Sequence, residues 1–232
     1  MYNNEDGMAT INLNGVSYQG ETLKKFLDYC FRNCDTISLS QSSNIGMTKS
    51  EADRAIEEYN KYLQENGLSE GLYPSDEEML EVYKNIAETE EELKSMIQRD
   101  IDAKANYEAR FKLSEEAVEA YVNENFADYD LVNRDVTCMT PSTYGGPKVM
   151  YYFRPEENLL REFYNMKTLF DSVIKNDEKQ LLLDDPTFYR EGKILLLVCS
   201  HEKYASLFVN EKLYNEFAKL GIKHRVGYDF NG

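Results

Sequence analysis

Apolar side chains alternate with polar ones near the start of the chain and then recur at helical spacing over most of its length. Ile11-Asn-Leu-Asn-Gly-Val-Ser-Tyr18 alternates about Asn14-Gly15. An Asn-Gly pair supplies the two positive-φ residues of a type I′ turn, so the pattern predicts a small hairpin. In Glu21–Cys34, Leu23, Phe26, Leu27, Cys30 and Phe31 fall on one side of a helix expected to pack on that hairpin. Asp35–Gly46, rich in Ser and Asn, reads as a loop.

Four helices are predicted next, at Lys49–Glu65, Asp76–Ala87, Glu90–Lys112 and Glu115–Phe126. Their starts are marked by capping signals. Thr48-Lys-Ser-Glu51, Ser75-Asp-Glu-Glu78 and Thr89-Glu-Glu-Glu92 each place a hydroxyl three residues before a Glu, and Ser114-Glu-Glu opens the fourth. Inward stripes follow at helical spacing: Ala52, Ile56, Tyr59 and Leu63; Leu80, Tyr83 and Ala87; Leu93, Ile97 and Ile101; Val118, Tyr121 and Val122.

After Arg134 the pattern becomes mixed. Val136–Met139 and Lys148–Phe153 read as strands around the Pro141–Pro147 loop, and Glu156–Ile174 as one long helix with Leu159, Leu160, Phe163, Met166, Phe170 and Val173 inward. Leu181–Leu183 reads as a short strand. Phe188-Tyr189, Gly192 and Lys193–Cys199 read as a hairpin whose second arm is a continuous apolar run, the mark of a strand buried on both faces. Tyr204–Val209 is a further strand, Asn210 caps a helix over Glu211–Leu220, and Ile222–Val226 suits an edge strand. The expectation is an α+β chain with a small N-terminal hairpin, an acidic helical region, and an antiparallel-sheet-and-helix C-terminal domain, divided as 1–130 and 131–232.

Charge sharpens this division. Glu51–Asp130 carries 23 Asp and Glu against 8 Lys and Arg, so −15 of the total −16 sits in one third of the chain. The flanks, 1–50 and 131–232, balance to −1 and zero. An acidic surface repels nucleic-acid phosphates and anionic membranes, so neither is expected as a direct partner. It attracts basic proteins. Part of the charge has a structural role, because acids in a first helical turn face the positive end of the helix dipole.

The aromatic content, 18 Tyr and 11 Phe, supports a folded core rather than a disordered acidic chain. Met1–Gly7 has no basic n-region and no apolar h-region, and the longest apolar run, Ile194–Cys199, is too short to span a bilayer. A cytoplasmic protein with reduced cysteines is therefore expected.

Residues from about Ile11 to Asp130 resemble the helical chaperone module of peptidyl-prolyl isomerase chaperones. The likeness rests on the short strand with Asn14-Gly15, on Thr89-Glu-Glu-Glu-Leu93 and on Leu113-Ser-Glu-Glu-Ala-Val-Glu-Ala-Tyr121. It implies a helical peptide-binding module. The chain beyond Arg134 does not resemble a parvulin isomerase domain.

Candidate chemistry is sparse. Cys199-Ser-His-Glu202 puts a thiol and an imidazole on one side of a strand, the pair a cysteine-dependent enzyme would need, with Glu202 at the rim. Cys30 and Cys34 share a helix face, but no second Cys/His pair completes a zinc set. His224 is the only other histidine, and Asp184-Asp185 before Pro186 suits a turn. Asp100-Ile-Asp102 begins like a calcium loop but has Ala105 where the sharp turn needs Gly. No metal, cofactor or catalytic residue is expected. The leading expectation is a non-enzymatic inhibitor or immunity-type factor that mimics nucleic acid toward a basic, nucleic-acid-handling protein. Asp76, Glu77, Glu78, Glu90, Glu91, Glu92, Glu115, Glu116 and Glu119 would be its contact residues. A chaperone-like helical module and a small enzyme using Cys199 and His201 are the alternatives.

Overall fold

A computed structural model describes residues 9–13, 18–41, 45–68, 75–109, 111, 113–142, 144–176 and 181–228. In chain order the elements are β1 (Ala9–Asn12), α1 (Gly20–Asn33), β2 (Thr36–Gln41), α2 (Lys49–Glu65), α3 (Asp76–Ile86), α4 (Glu90–Glu108), α5 (Glu115–Phe126), β3 (Leu131–Met139) and β4 (Tyr144–Phe153). They continue with α6 (Glu157–Tyr164), β5 (Ile174–Asn176), β6 (Leu181–Arg190), β7 (Lys193–Cys199), β8 (Tyr204–Val209), α7 (Glu211–Ala218) and β9 (Arg225–Tyr228). The α+β class holds.

Every strand pair is antiparallel, in the order β3-β4-β2-β6-β7-β8-β1-β9, with β5 added on the start of β6. The register aligns Phe153, Ile37, Phe188, Leu196, Leu207 and Ile11 in one row across six strands, all fully buried. Directly paired residues project to the same side of a sheet, so this row is the floor of the core. Helices α1, α6 and α7 close over it: Phe31 and Phe163 meet Phe188 edge-on, and Phe26 and Tyr29 meet Phe217. Helix α5 sets Phe126 against Tyr151 and Phe153 on the same side. The neighbouring row, Tyr152, Ser38, Thr187, Leu197, Ser206 and Asn12, faces the other way and is largely polar.

Three sequence expectations about the strands and their flanks change. The Asn14-Gly15 turn lies outside the described residues, but its first arm is β1, whose Thr10–Asn12 pair with β8 on one side and β9 on the other. The arm's partners therefore come from the far end of the chain, and Tyr18 lies outside any strand, its ring 5.0 Å from that of Phe26. The loop expected at Asp35–Gly46 contains β2, a strand in the middle of the sheet. Ile37 and Leu39 point into the core, while the Ser40 hydroxyl donates to Asp184 (2.9 Å) and Ser38 to the Tyr189 hydroxyl (3.4 Å). The helix expected over Glu156–Ile174 stops at Tyr164. Asp171 collects the amides of Lys167 and Thr168 (2.7 and 3.0 Å), and the chain turns into β5. Strands from either side of residue 130 share this sheet and one buried cluster.

The β6–β7 hairpin fits its sequence. Glu191 and Gly192 both take left-handed φ (52° and 74°), the shape of a type I′ turn.

Candidate functional site

The acidic helices are built from their caps. Thr48 and Ser75 form complete capping boxes with Glu51 and Glu78; Thr89 accepts the Glu92 amide, and Ser114 that of Ala117. This fixes several of the nine expected contact residues in structural duties. Glu78 accepts the Ser75 amide (2.7 Å), and Glu92 reaches back to the Glu88 amide (2.8 Å). Glu116 accepts the Ser114 hydroxyl (2.9 Å), Asp76 ties α3 to α4 through Lys104 (2.5 Å), and Glu90 lies 4.0 Å from Lys94. Glu77, Glu91, Glu115 and Glu119 have no hydrogen-bonding or ionic partner among the described residues. All four are exposed.

Two of the four border a cavity. Glu115, Val118, Glu119 and Val122 line one face of α5 and, with Thr48, Glu51 and Arg134, enclose a cleft of about 380 Å³. Part of its lining is an ion pair: the Arg134 guanidinium donates to both Glu51 oxygens (2.7 and 3.0 Å) and to the Gly46 carbonyl. Burial pushes the Glu51 carboxyl up, but bonds from Arg134 and Thr48 outweigh that and hold it below the ordinary range. With Glu51 neutralised by Arg134, Glu115 and Glu119 are left without a counter-charge among the described residues, beside an apolar wall. That arrangement suits a lysine or arginine side chain, whose methylene stem can lie on Val118 and Val122 while its cation meets carboxylate. Sequence reasoning placed Glu51 in a cap and Val118 and Val122 on an inward stripe, and named neither these three nor Arg134 as contact residues. The Thr48-x-x-Glu51 box is a visible signal for Glu51, whereas its pairing with a residue 83 positions away has none.

The second candidate lies at the turn between β7 and β8. Cys199 Sγ stands 3.5 Å from His201 Nδ1, which is 3.9 Å from Asp185 Oδ2 and whose ring is 4.0 Å from Glu202. The thiol and imidazole expected to share a side do meet. Asp185, Cys199 and His201 are three potential ligands within 4.8 Å of one another, offering an oxygen, a sulfur and a nitrogen. Asp185 is occupied structurally: one oxygen accepts the Ser200 amide (2.6 Å), the other the Ser142 hydroxyl (3.2 Å). Cys199 is fully buried, and burial pushes its thiol up against a backbone hydrogen bond at Glu202. A thiol held in its neutral form is a poor nucleophile. Iodoacetamide is therefore expected to modify Cys199 at pH 7 more slowly than a free cysteine, accelerating only above its ordinary value of 9.0. Labelling followed by peptide mass mapping checks this, and rapid modification at pH 7 would contradict it.

The remaining thiols are set the same way. Burial raises Cys30 well above its usual range, Cys34 to about 12 and Cys138 to about 11. Burial and the adjacent Asp185 also raise Asp184. His224 packs its ring against Phe217 at 5.0 Å, with Nδ1 2.8 Å from the Ile222 carbonyl. Among the described residues no helix is long and apolar enough to cross a membrane.

No family model, curated protein or solved structure matches this chain.

Proposed function

We propose that the protein is a non-enzymatic protein-binding protein, an inhibitor or immunity-type factor. It would engage a basic, nucleic-acid-handling partner through its acidic helices. One observation supports this reading: after capping and ion pairing are subtracted, Glu77, Glu91, Glu115 and Glu119 on α3, α4 and α5 are exposed and have no partner among the described residues, and two of them border a cleft sized for a basic side chain. Unpaired carboxylates in a strongly negative field raise the encounter rate with a cationic surface and take the positions that phosphates would otherwise occupy on it. The chaperone-like alternative draws on a different feature, the exposed Leu80, Val82, Ile86 and Ile101 of α3 and α4.

Salt separates the two. Bound proteins captured from host lysate at low ionic strength should elute at about 0.5 M salt, where exposed charge pairs are screened. They should be enriched in basic nucleic-acid-binding proteins by mass spectrometry. Capture should fall about tenfold when Glu77, Glu91, Glu115 and Glu119 are all changed to Gln, four exposed pairs at a few tenths of a kcal/mol each. Capture that resists both salt and these substitutions would overturn the reading and favour apolar binding.

A further inference from the structure

Helices α3 and α4 pack on each other antiparallel, Asp76 at the start of α3 meeting Lys104 towards the end of α4, with no fully buried residue in either. Met79, Tyr83, Leu93, Met96 and Ile97 are half-buried, but Leu80 and Ile101, expected to face inward, are 36% and 52% exposed, and Val82 and Ile86 are 47% and 57% exposed. Elsewhere the helices bury their apolar stripes: α1 hides Leu23, Phe26 and Leu27, and α2 hides Ala52, Ala55, Tyr59 and Leu63. Two helices touching along a single line cannot enclose a core, because each offers only one stripe to the other while the flanks stay wet. Val82 and Ile86 lie one turn apart on α3, so their exposed surface is a continuous ridge rather than scattered residues.

Charge selects what can cover that ridge. Residues 75–109 carry 11 Asp and Glu against 4 Lys and Arg, a balance of −7. A second copy of the same hairpin would bring two such charges together, and nucleic acid or an anionic bilayer would be repelled. An uncharged apolar partner would leave the surrounding carboxylates partly desolvated with no counter-charge.

We infer that the α3–α4 hairpin is a docking element for a cationic amphipathic helix of the partner, which adds a third helix and covers Val82 and Ile86 with its apolar stripe. Its lysines and arginines face the hairpin's carboxylates, giving a helix-on-helix contact with an apolar centre and a charged rim. This rests on the proposed reading of the acidic helices and narrows it to one partner chemistry.

The test uses the full chain and two fluorescent peptides of the same Leu and Lys composition. One has Leu at helical i, i+3, i+4, i+7 spacing; the other is scrambled so that no apolar face forms. The amphipathic peptide should bind at least about tenfold more tightly than the scrambled one, and the double variant Val82→Gln/Ile86→Gln should lower its affinity by about 10- to 100-fold, the effect of losing two central interface anchors. Both residues are exposed, so the variant's circular dichroism should match the parent's. Equal binding of the two peptides, or an unchanged affinity in the variant, overturns the docking element. The broader acidic reading would survive if that binding still disappears with salt. Failure of both peptides to bind overturns the two together.

Discussion

Replacing Glu51 by alanine is expected to destabilise the protein by about 3–5 kcal/mol, because it strands a largely buried guanidinium. The side chains of Arg134 and Glu51 are only 17% and 25% exposed, and the carboxylate takes two guanidinium bonds from β3 while also capping α2 through the Thr48 amide (2.8 Å). One substitution therefore removes the ion pair, the capping box and the brace between helix and sheet. At roughly 2–4 °C per kcal/mol for a chain of this size, the melting temperature should fall by on the order of 10 °C. A loss below about 1 kcal/mol, the range of an exposed pair, would contradict this placement.

The same pair gives stability a pH signature. The folded Glu51 carboxyl lies below its ordinary value of 4.5, so its contribution is complete above the unfolded value and drains away as pH falls through the folded one. Arg134 stays charged throughout, so acid melts should steepen below that value in the parent and flatten in Glu51→Gln.

Gly46→Ala is expected to cost about 3 kcal/mol, from the ~1–2 kcal/mol strain of a left-handed non-glycine residue and the disruption of a buried hydrogen bond. Gly46 has φ +90°, and a Cβ there would stand 2.5 Å from the Tyr151 hydroxyl and 3.2 Å from both Gln41 Oε1 and the Tyr121 ring. Those groups form a chain: Tyr151 donates to Gln41 (3.0 Å), whose amide donates to the Tyr121 hydroxyl (3.1 Å). Tyr151 has no space to retreat, being fully buried with Phe126 4.6 Å away. Urea unfolding checks the size, and a variant as stable as the parent would contradict the account of this junction.

Local chemistry was legible in the sequence and long-range pairing was not. Helix α2 begins and ends where Thr48 and the apolar stripe placed it, because its capping box is complete within four residues. Strand β2 was missed because its alternation, Ile-Ser-Leu-Ser, was obscured by its Ser content; a serine in mid-sheet needs a partner such as Asp184, 144 positions away. The α6 reading ran too far because Met166, Phe170 and Val173 all pack on the core at helix-like spacing without being helical. The threading of β1 between β8 and β9 left no local trace.

The candidate surface divides in the same way. Glu78 and Glu92 were visible as capping residues and Glu90 as an i,i+4 partner of Lys94, so their structural duties could have been subtracted in advance. Asp76 could not, since Lys104 comes from the next helix. The cleft depends on Arg134 arriving from β3, which no spacing rule foretells.

Where the charge sits, rather than how much there is, is the central claim, and a matched pair of variants measures it. In one, Glu77, Glu91, Glu115 and Glu119 become Gln; in the other, Glu21, Glu191, Glu202 and Glu211, exposed acids outside the acidic stretch, do so. Both change net charge equally. Low-salt capture from lysate should collapse for the first and stay near the parent level for the second. Equal loss in both would mean that total charge alone governs binding, and the acidic helices would then not be a site.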